Sequence, residues 1–172
     1  MKKMTVIFVL GLLILLPSIE LFAFDPKPSG ELKVDVVAST SQDYIKEWVS
    51  TSFKNTIHIT PVKQVVPDQT FYVAVIVTGY GVNDKGLTDL DGDFVLQNPD
   101  GTLMFDEKNV FAHKKSMTHP EGFIMMDPAI DLTLEKKDQR GVYIFKATVK
   151  DNVLNKTISG EYNFTLVDNI SN

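Results

Sequence analysis

The chain has 172 residues, a formal net charge of −5 and no cysteine, a length that suits one domain with a substantial core. Without cysteine there is no disulfide framework, thiol nucleophile, thiolate metal site or lipid-modified cysteine. The acidity is mild and spread out, and Lys and Arg form no cluster, which speaks against a phosphate-neutralising nucleic-acid surface.

The N-terminus, "MKKMTVIFVLGLLILLPSIELFAF", starts with Lys2 and Lys3. An apolar run follows from Met4 to Ile19, broken by Gly11, Pro17 and Ser18, with a small residue at Ala23. That is the anatomy of a secretory signal peptide. We expect residues 1–23 to be removed, leaving 24–172 as a single domain in the periplasm or outside the cell. An uncleaved anchor is the alternative, but Pro17 and Glu20 shorten the clean apolar stretch below the ~20 residues a spanning helix needs. No later run is long enough to span. Three sequons begin at Asn155, Asn163 and Asn169. They are glycan acceptors only in a eukaryotic secretory route, and the short two-lysine start looks bacterial.

Beyond the leader, the pattern is mostly strand. "LKVDV" puts Leu32, Val34 and Val36 on one face. "SQDYIKEWVSTSF" competes as a helix, with Ser41 as its cap and Tyr44, Ile45, Trp48 and Val49 on one face. Its serine and β-branched content leaves a short helix and an irregular connection both open. "TIHIT" alternates again through Ile57 and Ile59, with His58 outward, and "TFYVAVIVT" is apolar on both faces, as a central strand would be. "GYGVNDKGLTDLDG" is a loop, and "DFVLQ", "NPDG" and "TLMF" form a hairpin about a tight turn. "IDLTL" is a further strand with Ile130, Leu132 and Leu134 inward. "VYIFKATV" and "GEYNFTLV" pair as a hairpin joined by the polar "KDNVLNKTIS". About seven or eight strands separated by turn signals predict an all-β, antiparallel sandwich with at most one short helix.

The stretch "DQRGVYIFKATVKD" resembles the penultimate-strand motif of immunoglobulin-like domains, and the chain from Phe71 to Val167 is similar to bacterial extracytoplasmic immunoglobulin-like β-sandwich domains. The resemblance implies that Tyr143 ties the corner through its hydroxyl. It also implies that Gly141 permits the corner and that Phe145 stands where immunoglobulins carry their second cysteine. Asp138 is one residue further from the tyrosine than usual, the partner cysteine is missing, and Trp48 precedes the central strand. The resemblance implies a fold and no particular activity.

Asp89, Asp91 and Asp93 have the rhythm of a calcium loop. An EF-type loop fails, because counting from Asp89 places Phe94 at the glycine position and Asp100 at the bidentate glutamate position. A looser calcium site between sandwich loops, drawing on Asp84 as well, remains. The plainer reading makes Asp91-Gly92 a turn and lets Asp93 face solvent where the strand starts. A second candidate is "HKKSMTHPEGFIMM", in which Met117 and His119 could chelate copper, and His113 and His119 zinc. Met125 and Met126 would face opposite ways on a strand, and methionine is also ordinary core filler. Catalytic signatures are missing: there is no G-x-S-x-G and no phosphate loop, and paired acids such as Asp127 and Asp131 specify nothing without a cleft.

The chain therefore reads as an exported, non-enzymatic binding or assembly module for a protein partner, needing no cofactor. The loop Gly79 to Asp93 and the segment His113 to Gly122 are its expected recognition surface, with edge-strand pairing as another mode. The alternative is an extracytoplasmic metal-binding protein, for calcium at Asp89, Asp91 and Asp93 or copper at Met117 and His119.

Overall fold

A computed structural model describes residues 22–24, 30–50, 57–117, 122–126 and 130–170. All of the expected leader but Phe22 and Ala23 lies outside these residues, as do His119, Asp127 and the side chains of Val49 and Ile57.

In chain order the elements are β1 (Phe22–Phe24), β2 (Lys33–Ser39), α1 (Asp43–Ser50), β3 (Ile57–Ile59), β4 (Gln64–Val65), β5 (Thr70–Thr78) and β6 (Leu90–Gln97). The remainder are β7 (Leu103–His113), β8 (Phe123–Met125), β9 (Ile130–Thr133), β10 (Gly141–Asp151) and β11 (Lys156–Leu166). The expected long strands are present, and the number rises above seven or eight because β1, β3, β4 and β8 are short bridging pieces. α1 forms where the helical face was read, and the Ser41 hydroxyl accepts the Asp43 N–H at 3.1 Å at its start.

Two sheets make the sandwich. One runs β4–β11–β10–β6–β7, and the other runs β2–β5–β8, with β9 also on β5. Every pair is antiparallel except β4 with β11, a short parallel correction to the expected pattern. Between the sheets, period-two alternation delivers an aromatic core. Phe71 meets Phe164 edge-on at 4.7 Å, Tyr143 stacks on Phe164 at 5.6 Å, and Phe145 lies 5.5 Å from Phe94. Each such pair contributes ~0.5–1.5 kcal/mol beyond its buried area. With no disulfide to tie the sheets, these rings take that place.

Because Phe71 faces the other sheet, Tyr72, Ala74, Ile76 and Thr78 of β5 face away from it. Phe123 pairs with Thr78 and shares that outer face, and Trp48 of α1 rests on it at 4.4 Å. α1 therefore covers the outer face of the smaller sheet, which explains why β5 reads as apolar on both sides. Beneath it the Tyr44 hydroxyl is buried with no hydrogen-bond partner among the described residues, and burial pushes its pKa up to about 12.

Three boundaries move from the sequence expectation. β6 begins at Leu90, so "LDG" belongs to the strand and not to the loop, with Leu90, Gly92, Phe94 and Leu96 inward. β7 runs on well past "TLMF" to His113. The polar linker between the last two strands shrinks to the turn 152–155, because β10 and β11 pair in register from Gly141–Leu166 to Asp151–Lys156. In each case, Asp, Lys and Asn on a strand's outward face were read as loop composition.

Candidate binding surface

Three segments meet at one end of the sandwich: the β5–β6 loop, the stretch after β7 and the β10–β11 turn. Thr88 N–H donates to the Lys115 carbonyl and Met117 N–H to the Gly86 carbonyl, each at 3.0 Å, with a bridge between Leu87 and Ser116. Thr88 is buried, and its hydroxyl lies 2.9 Å from His113 Nδ1 and 3.2 Å from the Lys115 carbonyl. Asn83 Oδ1 accepts the N–H groups of Lys85 and Leu87, closing the loop on itself. The two segments that stood out for polarity alone, Gly79 to Asp93 and His113 onward, are thus stitched together as far as Met117.

The third segment is held by Asp151, the one fully buried carboxylate among the described residues. It accepts N–H groups from Gly81 at 2.6 Å and from Val153 and Leu154 at 2.9 Å each. One side chain therefore shapes the β10–β11 turn and binds it to the β5–β6 loop. Sequence reasoning passed over it inside "KDNVLNKTIS". The available signal was local: an Asp that bonds the backbone two residues on is an Asx turn.

The aspartates at alternate positions follow the strand period. Asp91 and Asp93 sit on the outward face of β6, which replaces both the expected turn at Asp91-Gly92 and the loop reading. Their oxygens already have partners. Asp89 takes Lys114 Nζ at 2.7 Å, and this bond, then the Asn152 amide, holds its pKa below the usual carboxylate value. The Asn152 amide also donates to Asp91 at 2.6 Å, and Asn109 N–H donates to Asp93 at 2.9 Å. Asp91 and Asp93, with Thr148, Lys150 and Thr157, border an open polar cleft of about 300 Å³.

Among the described residues no three His, Asp or Glu side chains gather closely enough to hold a metal. His113 is engaged with Thr88, and its pKa is lowered by burial and then by nearby Lys115. Met117 is half-buried against the core, Met126 is buried within it, and Met125 packs beside it.

At the opposite end of β10, Gly141 holds φ +134°, and a Cβ there would press on Pro99 at 2.9 Å. Tyr143 donates its hydroxyl proton to the Gln139 carbonyl at 2.8 Å, and Phe145 is fully buried. Asp138 braces the approach by accepting the Glu135 N–H at 2.6 Å.

These features define an immunoglobulin-like β-sandwich, in which β11–β10–β6–β7 run in the order of the G–F–C–C′ sheet of variable-type domains. No family model and no curated protein matches the chain. Among solved structures it is similar to a CARDB domain from Pyrococcus furiosus, solved in complex with di-metal ions, at 16% identity and TM-score 0.41 over 80% of this chain and 88% of that one. It is also similar to a PKD domain of an M14-like peptidase from a Thermoplasmatales archaeon, at 16% identity and TM-score 0.36 over 61% and 86%. A third likeness, at 11% identity and TM-score 0.44, is to a family 123 glycoside hydrolase from Clostridium perfringens, 81% of this chain matching 28% of that one. No helix among the described residues is long and apolar enough to cross a membrane.

Proposed function

We propose that the chain is an exported, non-enzymatic binding or assembly module that recognises a protein partner with its loop end. One observation carries this reading: the β5–β6 loop, the segment after β7 and the turn 152–155 are joined into one surface by backbone bonds and by Asp151. A surface so pre-ordered loses little entropy on binding. In variable-type immunoglobulin domains the corresponding loops at one end of the sandwich carry recognition.

A photo-reactive residue placed at Leu154, 40% exposed on this end, tests the reading against the same residue at Ile170, 48% exposed beyond the far end of β11. In cells expressing the full chain, Leu154 should yield a discrete protein adduct and Ile170 none. Adducts at Ile170 alone, or at neither position, would overturn it.

A further inference from the structure

The outward face of the larger sheet changes character along its length. Residues paired across strands share a face, so the registers lay this surface out in rows. One row runs Asn163–Ile144–Gln97–Leu103 and the next Glu161–Lys146–Val95–Asp106, each crossing β11, β10, β6 and β7 in turn. Val142 pairs with Thr165 in the row beyond the first. Leu103 and Val142, at 54% and 51%, are the most exposed large apolar side chains among the described residues. Ile144 and Val95 are half-buried beside them. Towards the loop end the same face turns polar, through Thr148 and Asp93 and then Lys150 and Asp91.

We propose that a second copy of this chain seats on the apolar end of this face, about a two-fold axis parallel to β6. The order within the rows selects that axis. Face to face about β6, β10 of each copy lies on β7 of the other, so Ile144 meets Leu103 and Lys146 meets Asp106, twice each by symmetry. An axis on β11, β10 or β7 would set Glu161, Lys146 or Asp106 against its own copy. Between β10 and β6 it would set Glu161 on Asp106, between β6 and β7 Asp106 on Val95, and between β11 and β10 Asn163 on Ile144. Among two-folds along the strands, only the β6 axis joins unlike charges while laying apolar side chains on each other. Existing pairs leave these ions available. Lys146 lies 3.5 Å from Glu161 and Lys108 2.7 Å from Asp106, on exposed side chains where such pairs are worth little. An ammonium also has three donors and a carboxylate two oxygens to share. The contact is small: at ~4.8 Å between strands and ~6.7 Å between rows, four strands by three rows cover roughly 400 Å², about half of what a standard interface takes from each partner. Further along, Asp91 and Asp93 would meet their own copies, which confines the contact to the apolar end. The dimer is therefore weak and reversible. Because its axis runs along the strands, both loop ends point the same way, and one dimer presents two of them.

The test is sedimentation equilibrium of the full chain, as recovered from expressing cells, over roughly 5–500 µM. A reversible monomer–dimer equilibrium is expected, with a dissociation constant on the order of 10–100 µM for so small a contact. Leu103→Glu with Val142→Glu should weaken it about tenfold or more while circular dichroism stays unchanged, since both side chains are exposed. The control Leu154→Glu with Ile170→Glu adds the same charge elsewhere and should keep the dimer. Lys146→Asp and Asp106→Lys should each weaken association several-fold, and the two changes together should restore it. Within one chain these residues stand two strands apart, about 10 Å, so the rescue reads a contact between copies. A chain that stays monomeric throughout or grows beyond a dimer would overturn the proposal. So would association indifferent to the Leu103 and Val142 changes, or a double charge swap no better than the single ones. The cross-link at Leu154 is scored separately, so the loop-end reading and the dimer can each fail without the other.

Discussion

The carboxylate of Asp151 lies out of water and answers three backbone N–H groups drawn from two separate loops. Removing it would orphan all three donors, and each unmet buried group costs ~1–3 kcal/mol. Asp151→Ala should therefore destabilise the domain by roughly 3 kcal/mol or more in urea unfolding. Asp151→Asn should cost less, because one amide oxygen still accepts. A loss below ~0.5 kcal/mol for the alanine variant would mean the loops hold each other without it. His113 makes a prediction of opposite visibility, through pH. Its pKa in the folded protein lies below the ordinary 6.5, so between those two values the unfolded chain binds more protons. The stability tied to neutral His113 is complete above about 6.5 and is lost as pH falls through the lowered value. Wild type and His113→Gln should then diverge in urea midpoint as pH drops from roughly 7 to 5, with the wild type falling faster. Parallel curves would refute this.

Among the elements, β6 and β7 depend on a missing side chain. The Phe111 ring of β7 lies over Gly92, where any Cβ would collide with it. Gly92→Ala should cost ~1–3 kcal/mol, as overpacking does, and should spare more stability when combined with Phe111→Leu than the two single losses predict. A double-mutant cycle in urea measures this coupling, and simple additivity would refute it. β7 is also an edge strand, and between Gly92 and Phe94 it carries extra residues around Asn109, at φ +52°. Such a bulge interrupts the free edge and discourages uncontrolled strand addition. None of this was legible beforehand: "DLDG" looks like turn chemistry until Phe111, nineteen residues on, is seen to need the space. By contrast, α1 was legible in outline, since Tyr44, Ile45 and Trp48 recur at helical spacing. What they cover was not.

For the whole molecule, the metal alternative yields a direct expectation. Calcium returned to chelator-treated protein should leave the unfolding midpoint where it was, because the oxygens of Asp89, Asp91 and Asp93 are committed to Lys114, Asn152 and Asn109. A ligand at a hundred times its dissociation constant would add about 2.7 kcal/mol, a shift of several degrees in a domain of this size. A rise that vanishes in the variant with Asp89→Asn, Asp91→Asn and Asp93→Asn would reinstate the calcium site. The same titration with copper addresses Met117 and His119.

The all-β class, the central place of β5, the two hairpins and the polar segments at the loop end were readable from the chain. Alternation, turn residues and apolar run length are local properties that one strand carries by itself. Only the tertiary structure decided that Asp91 and Asp93 stand on a strand, that Asp151 is a buried anchor, and that two segments far apart in sequence share one surface. Each of those outcomes depends on a partner brought from elsewhere: Asn152 for Asp91, Gly81 for Asp151, Lys115 for Thr88. Spacing along a chain records which face a residue shares with its neighbours, but it does not record which distant donor will come to meet it.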